Sequence, residues 1–145
     1  MDDKQYPWII LVPRRPNLRE LVELNAKDTV QLQVESNAVS KLLLKAFHAE
    51  KLNVASLGNV VAQLHIHHIA RFIDDIAWPK PVWSVSPAQP YAAEEVEALI
   101  RLIADYFTLP GGQEITWQYW FLSACRIHKS DNLWFGAKIK MVLKW

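Results

Sequence analysis

A chain of 145 residues, 51% of them hydrophobic, is long enough to close one core, and no composition break or Gly/Ser linker divides residues 1–145 into separate domains. Sixteen Lys and Arg nearly balance fifteen Asp and Glu, and the formal charge of +1 excludes the broad basic field that sequence-independent nucleic-acid binding requires. Cys125 is the single cysteine, which excludes an internal disulfide framework. With the polar start Met1-Asp2-Asp3-Lys4 and no apolar run long enough to span a bilayer, it makes an untargeted cytoplasmic protein the expectation.

Tyr6 to Pro13 is a short, β-branched apolar run that stops at Arg14-Arg15-Pro16-Asn17, the pattern of a buried strand ending in a turn. The two arginines could meet a phosphate, but at a strand end before Pro-Asn they read more readily as part of that solvated turn. Leu18 to Leu24 fits a second strand or a helical turn. Asn25 with Asp28 three residues on resembles a helix N-cap, and Val39, Leu42, Leu43, Ala46 and Phe47 form one stripe, so a helix is expected over about 26–49. Lys51 to Leu57 and Gln63 to Phe72 read as two strands of an antiparallel hairpin turning at Gly58-Asn59.

Prolines at 79, 81, 87 and 90 make 77–91 an extended surface loop, pinned to the body by Trp78 and Trp83. Glu94 and Glu95 suit a helix start, and Val96, Leu99, Ile100, Ile103 and Phe107 fall on one helical face before Pro110-Gly111-Gly112 ends it. Beyond that, 115–127 and 137–145 alternate as strands do, with a polar break at 128–132, and predict a C-terminal β-hairpin within an extension of about 113–145. The sum is an α+β chain.

The chemistry concentrates in Gln63-Leu64-His65-Ile66-His67-His68-Ile69-Ala70-Arg71. On a strand, Gln63, His65, His67 and Arg71 share one parity, and same-face neighbours stand roughly 7 Å apart, within reach of one phosphate or phosphoanhydride. A neutral imidazole attacks phosphorus and an imidazolium donates protons, so a row with His65 at its centre can serve phosphate chemistry, although by itself it reads more readily as a pair of histidines on an exposed strand face with no task. His68 falls on the opposite, apolar face and is expected to pack in the core with one nitrogen satisfied. His48, near a helix end, and His128, in a turn, have no neighbour that points to chemistry, and Cys125 reads as an inert half-buried thiol.

The stretch from Leu57-Gly58-Asn59 to His65-Ile66-His67 resembles the signature of the histidine triad (HIT) family, a His-x-His-x-His row preceded by a Gly-Gln or Gly-Asn segment. The similarity runs from Tyr6 to Phe107 and is nearest to a bacterial branch carrying Pro-Trp-x-x-Leu-Val-Pro-Arg-Arg, Leu-Asn-Val-Ala-x-Leu-Gly-Asn and Ala-Trp-Pro-x-Pro-Val-Trp, here Pro7 to Arg15, Leu52 to Asn59 and Ala77 to Trp83. It implies an antiparallel sheet of about five strands with two main helices, a homodimer, and a nucleotide-binding hydrolase or transferase that cleaves at the α-phosphate of a nucleoside phosphate derivative through a nucleotidyl-histidine intermediate. On that carry-over His65 attacks, His67 orients the phosphate or shuttles a proton, and Asn53 and Asn59 contact the phosphate. By its strand parity Arg71 could reach a leaving group, but it reads more readily as a surface ion pair.

Two positions depart from the pattern. Gln63 replaces the first triad histidine, as a glutamine does at another triad position in the related galactose-1-phosphate uridylyltransferases, and its amide donates a hydrogen bond but transfers no proton at neutral pH. Val60 stands where many members carry a serine or threonine. The sequence calls for no cofactor, with Mg2+ entering only alongside a polyphosphate substrate. Competing expectations are a nucleotide-binding or scaffold protein whose degenerate triad has lost turnover, and a zinc site in which His68 or a distant carboxylate joins His65 and His67.

Overall fold

The structure, a computed structural model, describes residues 3–108 and 139–142. Its elements are β1 (Trp8–Pro13), a single 3-10 turn (Leu21–Glu23), α1 (Ala26–Ala46), β2 (Lys51–Ala55), β3 (Ile66–Arg71), α2 (Ala93–Thr108) and β4 (Ile139–Val142). The four strands form one sheet in the order β2-β3-β1-β4 with every pairing antiparallel. This is the α+β fold with two helices that the sequence implies, with four strands among the described residues where about five were expected.

The sheet buries both faces, and side-chain alternation sorts β1 and β3 between them. Ile9 and Leu11 of β1 with Ile66 and Ala70 of β3 face a core shared with Leu32, Val39, Leu42 and Leu43 of α1 and Ile103 and Phe107 of α2. Trp8 and Ile10 with Ile69 face a second cluster containing Tyr6, Ala77 and Val82. The proline-rich segment is not extended as expected but folds into successive turns, with Lys80 N–H donating to the Ala77 carbonyl and Val85 N–H to that of Val82, and it covers, as a strap, a sheet face that no helix among the described residues covers. Trp83 packs on this cluster, as expected of it, and Trp78 lies over the Arg71 guanidinium at 5.7 Å.

α1 starts where the sequence places it, because the Asn25 side chain accepts from the Asp28 backbone N–H at 2.9 Å. It ends at Ala46 rather than 49, since Phe47 leaves helical geometry and His48 takes a left-handed φ of 54°. The 18–24 segment resolves as the helical-turn option. Arg15 is not a solvated turn residue: its Nε and Nη2 both meet the Asp28 carboxylate at 2.7 Å, tying the end of β1 to the start of α1.

The β2–β3 connection differs from the expected tight turn. β2 stops at Ala55, β3 begins at Ile66, and residues 56–65 form a longer loop whose Gly58 adopts a φ of +68°, where an L side chain is strained. At the C-terminus, 139–142 is a strand, as the alternation predicts. It pairs with β1, placing Met141 opposite Leu11, while the expected hairpin partner over 115–127, Cys125 and His128 lie outside the described residues.

Candidate active site

His65 precedes β3 instead of lying within it, directly after two anchored residues. The Leu64 backbone N–H donates to the Leu18 carbonyl at 2.7 Å, with the Leu64 side chain fully buried, and the Gln63 amide donates from Nε2 to the Arg15 carbonyl at 3.2 Å. The partly exposed His65 ring is then oriented by its own neighbour, with Nδ1 standing 2.7 Å from the Gln63 carbonyl oxygen. A carbonyl only accepts, so Nδ1 carries the proton and the neutral ring keeps a lone pair on Nε2.

His67 lies in β3, opposite Ile10 on the face shared with Trp8. Its ring is buried and sits 4.9 Å from the His65 ring, edge to face. Trp8 Nε1 donates to His67 Nδ1 at 3.0 Å, and Trp83 closes the cluster with ring centroids 5.6 Å from Trp8 and 5.7 Å from His67. Burial pushes the His67 pKa down to about 4, with the neighbouring charges of His65 and His68 adding to it. His67 is therefore neutral at pH 7, and the expected alternative of a proton shuttle does not fit: the ring holds its proton on Nε2 and has no readily gained second one.

The remaining sequence candidates separate. Gln63 does not share a strand face with His65; its side chain is spent on the Arg15 carbonyl, and its contribution next to His65 is its backbone oxygen. Arg71 keeps the parity of His67, but it is 1% exposed, so neither a leaving-group contact nor a surface ion pair describes it. Its Nε and Nη2 grip Asp75 at 2.7 and 2.9 Å, its Nη1 donates to Asn53 Oδ1, and it lies between the rings of Tyr6 and Trp78. Asn53 thus serves Arg71, while Asn59 is exposed in the 56–65 loop.

His68 packs under α1, fully buried, with Nε2 2.7 Å from Ser36 Oγ and no partner for Nδ1 among the described residues, as its parity predicts. Burial holds its pKa down to about 4. Among the described residues no three His, Cys, Asp or Glu side chains gather to hold a metal ion, and no helix is long and apolar enough to cross a membrane. Trp8 as a partner of His67 was missed; its shared parity with Ile10 on β1 was the available signal.

Comparison with known proteins decides the family. The HIT domain profile matches residues 1–74. A histidine triad protein from Bradyrhizobium japonicum is 43% identical, with a TM-score of 0.69 over 72% of this chain and 78% of its own. The chain belongs to the HIT family. A histidine triad (HIT) protein from Sinorhizobium meliloti 1021 is 44% identical with a TM-score of 0.70 over 72% and 78% of the two chains. One from Marinobacter aquaeolei VT8 gives 44% and 0.69 over 71% and 75%. Comparison with curated sequences gives no match. In this HIT domain the rings of His65 and His67 stand as a pair, with one imidazole offering a lone pair and the other an N–H.

Proposed function

We propose that this HIT protein is a nucleotidyl hydrolase or transferase in which His65 attacks the α-phosphorus of a nucleoside phosphate derivative, of the dinucleoside polyphosphate or nucleoside phosphoramidate type. Family membership points to nucleotide-binding hydrolase and transferase chemistry. The observation that carries the finer reading is the Nδ1 bond of His65 to the Gln63 carbonyl, which leaves Nε2 as a nucleophile on a partly exposed ring.

In the first step the Nε2 lone pair forms the N–P bond while the bond from phosphorus to the leaving group breaks and its electron pair departs with that group. The neutral His67 donates from Nε2 to a non-bridging oxygen, where negative charge develops. Water then attacks phosphorus, the N–P electron pair returns to His65, and the water's proton is lost to solvent. A polyphosphate substrate brings Mg2+ as its counter-ion; the described residues offer the ion no cluster of their own. Family membership also carries the proposal of a homodimer in a cytoplasmic setting, which sedimentation velocity tests for the assembly.

The test is covalent. After brief reaction with an adenylylated amine or a dinucleoside polyphosphate and quenching without acid, mass spectrometry should find a nucleotide adduct on the peptide containing His65. His65→Ala should lose several orders of magnitude in kcat, and wild-type turnover by that variant would falsify the assignment. The competing reading of a nucleotide binder without turnover is favoured by one observation, the absence of a transferable proton on Gln63 and on neutral His67. It predicts tight binding of a nucleoside monophosphate with no adduct from any activated nucleotide.

A further inference from the structure

We infer that Trp8 is a positioning residue for the reaction: its indole N–H locks His67 in the tautomer that carries the proton on Nε2. Trp8 and His67 lie on one face of neighbouring strands, with Trp8 opposite Ile69 and Ile10 opposite His67, so the two side chains meet diagonally across the β1–β3 ladder. Their contact is Trp8 Nε1 to His67 Nδ1 at 3.0 Å, and both residues are buried. Indole nitrogen has a donor and no lone pair to offer, so the polarity of this bond admits one reading: Nδ1 accepts.

A neutral imidazole that accepts at Nδ1 carries its proton on Nε2. Protonating Nδ1 as well would set N–H against N–H at the same 3.0 Å in a site closed to water, so the imidazolium is barred by geometry as well as by burial. An unrestrained imidazole exchanges between two tautomers, and only one of them shows a donor at Nε2. Trp8 removes the other. The indole is itself confined, because the Trp83 ring stands edge-on to both Trp8 and His67 while His65 flanks His67.

On the functional reading given above, on which the catalytic part of this inference rests, the consequence is a division of labour between two identical side chains. The Gln63 carbonyl makes His65 a lone-pair ring, and the Trp8 indole makes His67 a donor ring that holds phosphate oxygen without entering the proton traffic. His67 then contributes the same hydrogen bond before and after the phosphorus changes partners.

The experiment uses the full chain with 15N-labelled histidine and tryptophan at pH 7 without nucleotide, the His67 signals being assigned by their loss in His67→Gln. The expected spectrum shows Nδ1 of His67 unprotonated, Nε2 protonated, and a hydrogen-bond-mediated coupling between His67 Nδ1 and Trp8 Nε1. Trp8→Phe keeps an aromatic ring and removes the N–H; its two His67 nitrogen shifts should move toward each other as the tautomers exchange. Its kcat for nucleotidyl transfer should fall about threefold to tenfold with KM within about twofold, the scale of one neutral hydrogen bond. Trp83→Phe should leave the His67 nitrogen pattern as in the wild type. A protonated Nδ1 in the wild-type protein, or an unchanged His67 pattern in a folded Trp8→Phe, overturns the inference. Should Trp8→Phe not fold, the wild-type coupling decides alone. The spectra need no substrate, so a chain that forms no nucleotide adduct sinks the functional reading while the tautomer result still stands or falls by itself.

Discussion

His65 and His67 are the same residue type two positions apart, yet their neighbours give them opposite polarity: a backbone carbonyl at Nδ1 of one, an indole N–H at Nδ1 of the other. Neither arrangement supplies a proton to a departing group, and the Gln63 amide cannot. A phosphate or acyl phosphate departs as a stable anion, whereas an alkyl amine or alkoxide needs a proton in the transition state, help typically worth roughly a hundredfold or more. The wild-type protein should therefore favour good leaving groups when paired substrates share one nucleoside and differ only in leaving-group pKa. Gln63→His should leave that gap unchanged, both rates moving together, because the side chain at 63 is directed to the Arg15 carbonyl and holds the loop; a rate raised for the poor leaving group alone would mean that position 63 reaches the leaving group. The site was legible as far as chemistry follows spacing, since His-x-His marks the pair and its parity places Arg71 on the face of His67. It was not legible where an atom's partner lies far along the chain. Arg71 is committed to Asp75 and Asn53, and Gln63 to Arg15, contacts that alternation cannot announce.

At the level of elements, the same logic separates what local sequence specifies from what packing decides. The start of α1 is local: Asn25 Oδ1 takes the Asp28 N–H at 2.9 Å and its Nδ2 donates to Asp28 Oδ2 at 2.8 Å, and both residues sit within one turn. Asn25→Ala should cost about 1 kcal/mol of unfolding free energy in urea titration, while Asn25→Ser, which keeps a capping oxygen, should lose less than half of that. No measurable loss in Asn25→Ala would show that the Arg15 and Asp28 pair holds the helix end unaided. The start of β3 is not local. Alternation continues through Gln63 and His65, but β2 offers no ladder beyond Ala55, and the Leu64 N–H instead satisfies itself on Leu18. The strand therefore begins at Ile66, and the nucleophile candidate sits on the loop, held by its anchors and not by the sheet. β4 illustrates a third case: its alternation announced a strand, and only the fold could choose β1 as the neighbour.

For the whole molecule, the sheet carries buried ionisable groups on both faces, and acid should find them in order. The strap face holds His67 and the Arg71–Asp75 pair; the helix face holds His68 beside Ser36, with Glu35 buried on α1. Burial lowers His67, with His65 and His68 contributing, and lowers His68, each to about 4 from an ordinary 6.5. Between those values the unfolded chain binds protons that the folded chain refuses. Their contribution is thus complete above pH 6.5 and is lost as pH falls toward 4. Glu35 acts oppositely, because burial raises its carboxyl against the Gln31 hydrogen bond and the folded state there takes up a proton more readily than the unfolded one. Two histidines outweigh that one carboxyl. Asp75 enters last: burial would raise it, but the Arg71 and backbone Phe72 hydrogen bonds outweigh burial and hold it below its ordinary 3.8, so its share survives until the acid limb. Urea midpoints should stay level from pH 8 to 7 and then fall continuously from about pH 6.5 to 4, a loss on the order of a few kcal/mol. His68→Gln, whose amide still reaches for Ser36 but does not titrate, should make that decline shallower. Stability that rises as the pH drops from 6.5 to 5, or a slope unchanged in His68→Gln, would mean that the buried imidazoles accept their protons inside the fold.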